Sequence, residues 1–290
     1  MNQSITINLF LTFLQDDILE LPFIAYLGVP MLIFWLITFL FTIMIIDSKL
    51  MSKRVSIIIY TITILFAGFI LGGFPNAIMP IQQTLTTLSV RGDLNYLVPG
   101  LFVLLILFST SFLVGRMFCG YACPLGAFQE VISRINFKSD VKAQKQNKFH
   151  IEVPSTITKK IRWIFVFSIF FSAIIFGVEL LSYFNPFPGF SLIAFTLTIS
   201  FIGLIIITIA SFFLYRPYCR FLCPFGAGSD LLSRVARSKY ERNDNCVDCG
   251  LCEKVCPTQE AAADSNKGEC YFCNRCIEIC PHDAISLSLD

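Results

Sequence analysis

The chain of 290 residues is apolar and nearly neutral, with 55% hydrophobic residues, 14% charged residues and a formal net charge of +2. Such a composition is far from the average of soluble proteins and predicts a membrane protein with no nucleic-acid partner. Its twelve cysteines lie in four short motifs, which excludes a scattered disulfide framework and indicates ligands.

Residues 1–54 are predicted to contain an interfacial segment and a first transmembrane helix. Residues 1–22 carry three acidic residues and no Lys or Arg. A secretory signal begins with positive charge, so these residues are interpreted as an interfacial helix. The apolar run Ile24–Ile46 follows, and it approaches the roughly 20 residues needed to cross a bilayer.

Residues 55–240 are predicted to form a repeated membrane domain. With the first helix they would give an all-α polytopic membrane domain of five transmembrane helices. The four further apolar runs are Val55–Gly72, Leu97–Phe118, Ile161–Tyr183 and Ser191–Tyr215. Five crossings would put all Lys and Arg residues except Arg91 on one side, which the positive-inside rule makes cytoplasmic. We therefore expect a multi-pass protein of the inner (cytoplasmic) membrane with its N-terminus outside.

An internal repeat occurs at an offset of one hundred residues in this domain. The segment RMFCGYACPLGA, beginning at Arg116, matches RPYCRFLCPFGA, beginning at Arg216. Each copy places two cysteines at i and i+4, on one face of a helix, before a proline. Two copies in the same orientation are expected to bring four cysteines together at the cytoplasmic surface. These are Cys119, Cys123, Cys219 and Cys223.

Several roles are open for these four cysteines. Converging thiolates suit a third iron–sulfur cluster, a soft-metal site for copper or zinc, or a redox-active dithiol pair. Without a ligand they would pack as small hydrophobic side chains at helix ends. Arg116 and Arg216 could lower the cost of anionic clusters, contact a quinone carbonyl, or anchor helices at the interface. The basic run over residues 138–148 is expected to meet anionic membrane lipid or an acidic ferredoxin-like partner.

Residues 241–290 are predicted to form a small α+β domain of the bacterial ferredoxin type. Each half has the spacing C-x2-C-x2-C-x3-C-P, in which three thiolates hold one [4Fe–4S] cluster and the fourth reaches the other cluster. A structural zinc site is the alternative, but zinc needs two cysteine pairs per ion. The predicted ligands are Cys246, Cys249, Cys252 and Cys280 for the first cluster, and Cys270, Cys273, Cys276 and Cys256 for the second.

Two CxxxCP motifs, CGYACPLGA and CRFLCPFGA, followed by a two-cluster ferredoxin, resemble the NapH/MauN group of ferredoxin-type membrane proteins. Membrane domains of the NosR and CcoG types are similar. The resemblance covers about residues 55–290 and departs from that group in the additional first helix. It implies a quinol dehydrogenase component that relays electrons between the quinone pool and a redox partner through iron–sulfur centres.

Two other functions stay open. One is a CcoG-like assembly factor in which clusters reduce copper at the CxxxCP cysteines. The other is an electron-transfer anchor subunit of a larger membrane oxidoreductase. Neither His150 nor His282 lies in an apolar run, which excludes a bis-histidine haem wire across the bilayer. The redox groups would all lie at the cytoplasmic side, so a quinone that exchanges electrons directly with them should bind near the CxxxCP cysteines.

Overall fold

The computed structural model describes residues 53–73, 75–87, 97–135, 153–178, 180–191 and 199–289, together with residues 37, 40 and 151. The predicted interfacial helix and the basic run over residues 138–148 lie outside the described residues. So does the first predicted transmembrane helix, apart from residues 37 and 40.

Most of the described chain is helical. The α-helices are α1 Lys53–Thr63, α2 Ile78–Thr86, α3 Leu97–Val114, α4 Pro124–Ile135, α5 Ser155–Phe176, α6 Ile199–Phe213, α7 Pro217–Phe221, α8 Pro224–Ser233, α9 Leu251–Val255 and α10 Arg275–Ile279. Two π-helical segments, Ile64–Ile70 and Phe118–Ala122, and two 3-10 turns, Leu180–Ser182 and Phe187–Phe190, complete the helical part. The strands β1 Ser238–Arg242 and β2 Ile285–Leu289 pair antiparallel, with Tyr240 opposite Leu287.

The prediction of five transmembrane helices is wrong for this structure. Among the described residues, no helix combines the length and the apolarity that crossing a membrane requires. The predicted run Val55–Gly72 is divided between α1 and a π-helical segment. Helix α5 carries Lys159, Lys160 and Arg162 in its first half, and α6 has 15 residues in the described part of the chain. Hydropathy averages apolar residues over a window and does not report where a helix is interrupted. The observed fold class is a helical domain with a small two-stranded sheet.

The two repeats pack crosswise. Helix α4, which follows the first CxxxCP motif, packs against α1 of its own repeat and α6 of the other. Helix α8, which follows the second motif, packs against α5 of its own repeat and α3 of the other. Each repeat therefore completes the packing of its partner, and both motifs meet between the repeats.

The proline of each CxxxCP motif begins a helix. Cys123 and Cys223 have extended backbones, with φ of −77° at both, and helices α4 and α8 start at the next residue. Proline suits this first helical position because its missing N–H would have no helical partner there. The chain consequently turns sharply at the second cysteine of each motif.

Candidate iron–sulfur site

Two cavities in the C-terminal domain are each lined by four of the predicted cluster ligands. The smaller, of about 20 Å³, is lined by Cys246, Cys249, Cys252 and Cys280 among others. The larger, of about 380 Å³, includes Cys256, Cys270, Cys273 and Cys276 in its lining. The structure thus groups the eight cysteines into the two crossed sets given by the ferredoxin spacing. Their role as cluster ligands stays a prediction.

The two halves of this domain repeat one unusual backbone. Asp248 and Gly250 in the first half have positive φ of 51° and 69°. Phe272 and Asn274, at the same positions of the second half, have φ of 54° and 63°. Positive φ is uncommon outside glycine, and three of these four residues are not glycine. Their matched positions therefore indicate a functional constraint on the backbone. They bend the chain around the cysteines of each half.

Backbone N–H groups reach the last cysteine of each half in the same way. The N–H of Glu260 donates to Cys256 Sγ at 3.2 Å, and the N–H of Ala284 donates to Cys280 Sγ at 3.3 Å. A donor aimed at sulfur stabilises the thiolate, which is the form that binds iron. The matched donors are what a pair of thiolate-ligated centres needs.

The CxxxCP cysteines of the two repeats lie together, and we call them the four-thiol site. The site consists of Cys119, Cys123, Cys219 and Cys223, which interact electrostatically with one another. Three of the four are buried, and Cys223 is of intermediate burial. In the described part of the chain, no three His, Cys, Asp or Glu side chains are arranged to hold a single metal ion.

Polar side chains beside the four-thiol site come from the opposite repeat. Gln129 Nε2, from the first repeat, donates to Cys219 Sγ of the second at 3.4 Å. Ser229, from the second repeat, lowers the pKa of the Cys119 thiol of the first, while its hydroxyl donates to the Gly226 carbonyl at 3.4 Å. Gln129 and Ser229 are themselves one hundred residues apart. These polar side chains therefore follow the repeat, but each acts on a cysteine of the other copy.

Backbone donors serve the second cysteine of each motif. The N–H of Gly226 donates to Cys223 Sγ at 3.4 Å. The N–H of Gly126 makes the same contact with Cys123 and lowers the pKa of its thiol. Cys123, Cys219 and Cys223 thus each have a hydrogen-bond donor, and Ser229 acts on the thiol of Cys119. Such a shell is typical of sulfur that carries negative charge.

Burial nevertheless favours the neutral thiols in the absence of a ligand. Desolvation raises the pKa of Cys119 to about 11, although Arg116 acts in the opposite direction. Desolvation also raises the pKa values of Cys123, Cys219 and Cys223. Because a metal ligand must be the thiolate, binding of a metal group at this site would release protons.

A buried group of charged side chains, which we call the charged junction, joins the four-thiol site to the C-terminal domain. Its members are Arg116, Arg134, Arg162, Arg216, Arg220, Arg275, Glu130, Asp230 and Glu269. The sequence indicated a role for Arg116 and Arg216 but not for the others. Glu130 and Asp230 could have been found, since they also lie one hundred residues apart.

Each arginine beside a CxxxCP motif pairs with the carboxylate of the other repeat. Arg216 Nε lies 3.1 Å from Glu130 Oε2, and its Nη1 donates to the carbonyl of Cys119 at 2.7 Å. Arg116 Nη2 lies 3.9 Å from Asp230 Oδ1. The pairs hold the two repeats together at the cysteines, which excludes the sequence alternative of arginines that only anchor helices at an interface.

Glu130 is the centre of the charged junction. It accepts hydrogen bonds from Arg275 Nη2 at 2.9 Å, Arg134 Nε at 3.2 Å and the Tyr215 hydroxyl at 2.7 Å. Burial alone would raise the pKa of this carboxyl, but Arg275, Arg216 and Arg134 together hold it well below its usual range. Arg275 belongs to α10 of the C-terminal domain, so Glu130 binds that domain to the repeats.

Tyr271 connects the four-thiol site with the larger cysteine cavity. Its hydroxyl accepts a hydrogen bond from Arg116 Nη1 at 2.7 Å, and its ring lies 4.6 Å from the Arg216 guanidinium. A Cβ on Gly120 would lie 2.4 Å from the Tyr271 carbonyl oxygen, so the CxxxCP loop and the Tyr271 backbone are in close contact. Cys270 immediately precedes Tyr271 in the chain, and Gly120 immediately follows Cys119. The contact between Tyr271 and Gly120 therefore brings the two groups of cysteines close together.

Family profiles match both parts of the chain. A profile described as a 4Fe-4S binding domain matches residues 96–142 and 196–243, and each match contains one CxxxCP motif. A second profile, also described as a 4Fe-4S binding domain, matches residues 240–259 and 264–286. Iron–sulfur binding thus has support in the repeats as well as in the ferredoxin-like domain.

Relatives decide the family. An uncharacterized protein of Methanocaldococcus jannaschii is 31% identical over 201 residues, which are 69% of this chain and 82% of that relative. The ferredoxin-type protein NapH of Escherichia coli is 23% identical over 194 residues, 60% of this chain and 62% of NapH. The chain belongs to the NapH-type family of iron–sulfur proteins. The resemblance inferred from the motifs is therefore confirmed.

Electron transfer is the general role of this NapH-type protein. YccM of Escherichia coli, whose name assigns it provisionally to electron transport, is 27% identical over 229 residues, 74% of this chain and 62% of YccM. The chain thus spans less than two thirds of YccM and of NapH. No solved structure matches it.

The charges of this NapH-type protein fit anionic iron–sulfur groups. Among the described residues, six buried arginines outnumber four buried carboxylates, those of Glu130, Asp230, Glu260 and Glu269. Uncompensated buried charge is costly, so the excess calls for a negative partner inside the protein. Four thiolates with a bound cluster are such a partner, and Arg116, Arg162 and Arg216 interact with their sulfurs. The donor set and its surroundings therefore suit a cluster better than neutral packing of thiols.

Proposed function

We propose that this protein relays electrons between the quinone pool and a redox partner through three iron–sulfur centres. Two are held by the eight cysteines of the ferredoxin-like domain and the third by the four-thiol site. The contact through Tyr271 carries the proposal, since Tyr271 adjoins Cys270 and packs against Gly120, the neighbour of Cys119. The matching of both parts of the chain to 4Fe-4S binding domains supports it.

The residues around the cysteines would hold the centres and adjust their charge. An iron–sulfur cluster, when bound, supplies a one-electron carrier whose potential depends on net charge and hydrogen bonds to sulfur. Gln129 and the N–H groups of Gly126 and Gly226 donate to the sulfurs. Arg116 and Arg216 offset the negative charge of the thiolates. Burial keeps water from the four-thiol site, which preserves the strength of these interactions.

The exposure of the cysteines suggests an order for the relay. The four-thiol site is mostly buried between the repeats, whereas Cys249 of the smaller cavity is exposed. The neighbouring Val247 is 59% exposed. We infer that quinone exchanges electrons near the four-thiol site and that the redox partner binds near Cys249. The larger cavity, beside Tyr271, would lie between them.

We also propose that the protein associates with lipid. Helix α5 exposes several large apolar side chains, including Phe167 at 67%, Ile174 at 69% and Phe176 at 68%. Exposed apolar surface of this extent is rare on monomeric soluble proteins. Lys160, exposed near the start of the same helix, could meet lipid phosphate. A lipophilic quinone would then be available close to the repeats.

Iron content tests the third centre. Full-length protein purified without oxygen is expected to hold about twelve iron atoms, since each four-cysteine set takes one [4Fe–4S] cluster. Cys119→Ser and Cys223→Ser should each reduce this to about eight and abolish quinol-dependent reduction of the remaining centres. Cys249→Ser is the matched control, because it should alter a ferredoxin centre and leave the four-thiol centre reducible by quinol.

Two results would contradict the proposal. Unaltered protein with about eight iron atoms would show that the four-thiol site holds no cluster. If that site instead held copper, a metal-handling role would replace the relay. Full iron content without any reduction by quinol would leave the centres in place and exclude quinol as the electron donor.

A further inference from the structure

One buried hydroxyl beside the four-thiol site lacks a partner. Tyr218 is 1% exposed, and among the described residues its hydroxyl oxygen has no hydrogen-bond partner. A buried polar group without a partner costs free energy, so such groups are rare in native proteins. The hydroxyl therefore calls for an acceptor that belongs to the functional state of the protein.

The position of Tyr218 points to the four-thiol site as that acceptor. Its backbone N–H donates to Gln129 Oε1 at 3.0 Å, and its carbonyl accepts from the N–H of Cys223 at 3.0 Å. Its side chain interacts electrostatically with the thiols of Cys123, Cys219 and Cys223. The backbone of Tyr218 is thus held by Gln129 of the first repeat and by the second cysteine of its own motif.

Tyr218 breaks the symmetry of the site. The other polar groups beside the sulfurs occur in pairs at the repeat offset, Gln129 with Ser229 and Gly126 with Gly226. The residue equivalent to Tyr218 is Phe118, which has no hydroxyl. Phe118 is buried as well, at 1% exposure, so the two rings occupy similar environments. The hydroxyl is therefore an addition to one half of a site that is otherwise matched.

We propose that the Tyr218 hydroxyl donates a hydrogen bond to the sulfur-rich centre held by the four-thiol site and raises its reduction potential. This inference rests on the proposed function. One added electron makes the centre more negative, which strengthens a hydrogen bond from a neutral donor. The hydroxyl keeps its proton, and no covalent bond forms or breaks. The bond thus stabilises the reduced form of this centre and raises its reduction potential relative to the ferredoxin centres.

The test is a redox titration of the anaerobically purified full-length protein and its Tyr218→Phe variant. In the variant, the equilibrium constant for reduction of the four-thiol centre should be about tenfold smaller. This corresponds to a reduction potential lower by about 59 mV for one electron. The two ferredoxin centres should keep their potentials. Tyr183→Phe is the matched control, because Tyr183 is 60% exposed and the same atom is removed.

A second measurement identifies the proton itself. Pulsed electron paramagnetic resonance of the reduced four-thiol centre should detect a coupled exchangeable proton that Tyr218→Phe removes. Phe118→Tyr, which adds the hydroxyl to the other half, should raise the potential; this variant decides the question if Tyr218→Phe fails to retain the centre.

Different results would contradict the Tyr218 hydrogen bond and the third centre. A centre that is present, with unchanged potential and proton coupling in Tyr218→Phe, would overturn the role of this hydroxyl and leave the relay intact. Absence of the centre from the unaltered protein would overturn the proposed third centre itself.

Discussion

At the scale of single residues, Glu130 shows how charge is accommodated inside this protein. It accepts hydrogen bonds from its own helix α4, from α10 and from Tyr215 between α6 and α7, and the surrounding arginines hold its pKa well below the usual range. Asp230, its counterpart in the second repeat, also has a lowered pKa, because Arg116 and Lys159 outweigh the effect of burial. Both carboxylates therefore stabilise the folded state only while they are ionised.

Glu130→Gln should lower the free energy of unfolding by about 3 kcal/mol at pH 7, because it leaves buried arginines without their counter-charge. A depressed folded-state pKa gives stability that is complete above the unfolded value, near 4.3 for Glu, and is lost as the pH falls below it. The difference between the unaltered protein and the variant should therefore shrink below about pH 4. Chemical denaturation at several pH values measures it.

The matched control is Asp264→Asn, because Asp264 is exposed and loses the same charge. Its effect should stay within about 0.5 kcal/mol at every pH. If Glu130→Gln behaved like this control, the carboxylate would not be the centre of the charged junction.

At the scale of elements, close backbone contact positions the CxxxCP loop against the ferredoxin-like domain. Gly120 lies in the π-helical segment Phe118–Ala122, where a Cβ would come 2.4 Å from the Tyr271 carbonyl oxygen. π-Helical turns of this kind are frequent at functional sites. The glycine between the two cysteines of the first motif is thus explained by the approach of another backbone.

Gly120→Ala should destabilise the protein by about 1–3 kcal/mol, because the opposing atoms are backbone and cannot rotate away. Gly203→Ala, in α6, is the contrasting variant, since nothing lies within 4 Å of its Cβ. It should be neutral or stabilise by up to about 1 kcal/mol. Thermal unfolding measures both, and hydrogen exchange near Tyr271 should rise only in Gly120→Ala. Equal effects of the two substitutions would refute the proposed contact.

At the scale of the whole molecule, buried charge and exposed apolar surface lie in different places. Arginines and carboxylates occupy the junction between the repeats and the ferredoxin-like domain. Large apolar side chains are exposed on α5, at Phe167, Ile174 and Phe176. This is the reverse of the usual arrangement of a soluble protein, and it is the basis for the proposed contact with lipid.

In a co-sedimentation experiment, the full-length protein should pellet with vesicles of phosphatidylcholine and phosphatidylglycerol. Simultaneous replacement of Phe167, Ile174 and Phe176 by Ser should reduce the bound fraction at least tenfold, because exposed apolar area drives such binding. Ser168→Asn, an exposed position on the same helix, should leave binding unchanged. If the triple variant kept full binding, these three side chains would not be the lipid contact.

The sequence predicted the cysteine groups better than their surroundings. Ferredoxin spacing assigns Cys280 to the first set and Cys256 to the second, and the cavities contain these crossed sets. The repeat likewise placed Cys119 near Cys219. Short spacings and internal repeats reflect local geometry, so they can be read without a structure.

The charged junction and the helix lengths could not be predicted in the same way. The pairing of Arg216 with Glu130 crosses between repeats, and no local pattern reports it. Helix ends depend on tertiary contacts as well as on apolarity, which is why the predicted run Val55–Gly72 is divided between α1 and a π-helical segment. The unpaired hydroxyl of Tyr218 likewise becomes visible only when burial and neighbours are known.

The exchange of partners between the repeats constrains how the protein is made. Cys119 and Arg116 leave the ribosome more than a hundred residues before Ser229, which acts on the Cys119 thiol, and Asp230, which pairs with Arg116. Tyr271, which covers both motifs, emerges later still. A centre at the four-thiol site, as proposed above, would therefore be assembled only after these residues have been made, and a product truncated before them would lack the closed pocket. Loading of that centre would then also report that synthesis had passed Tyr271.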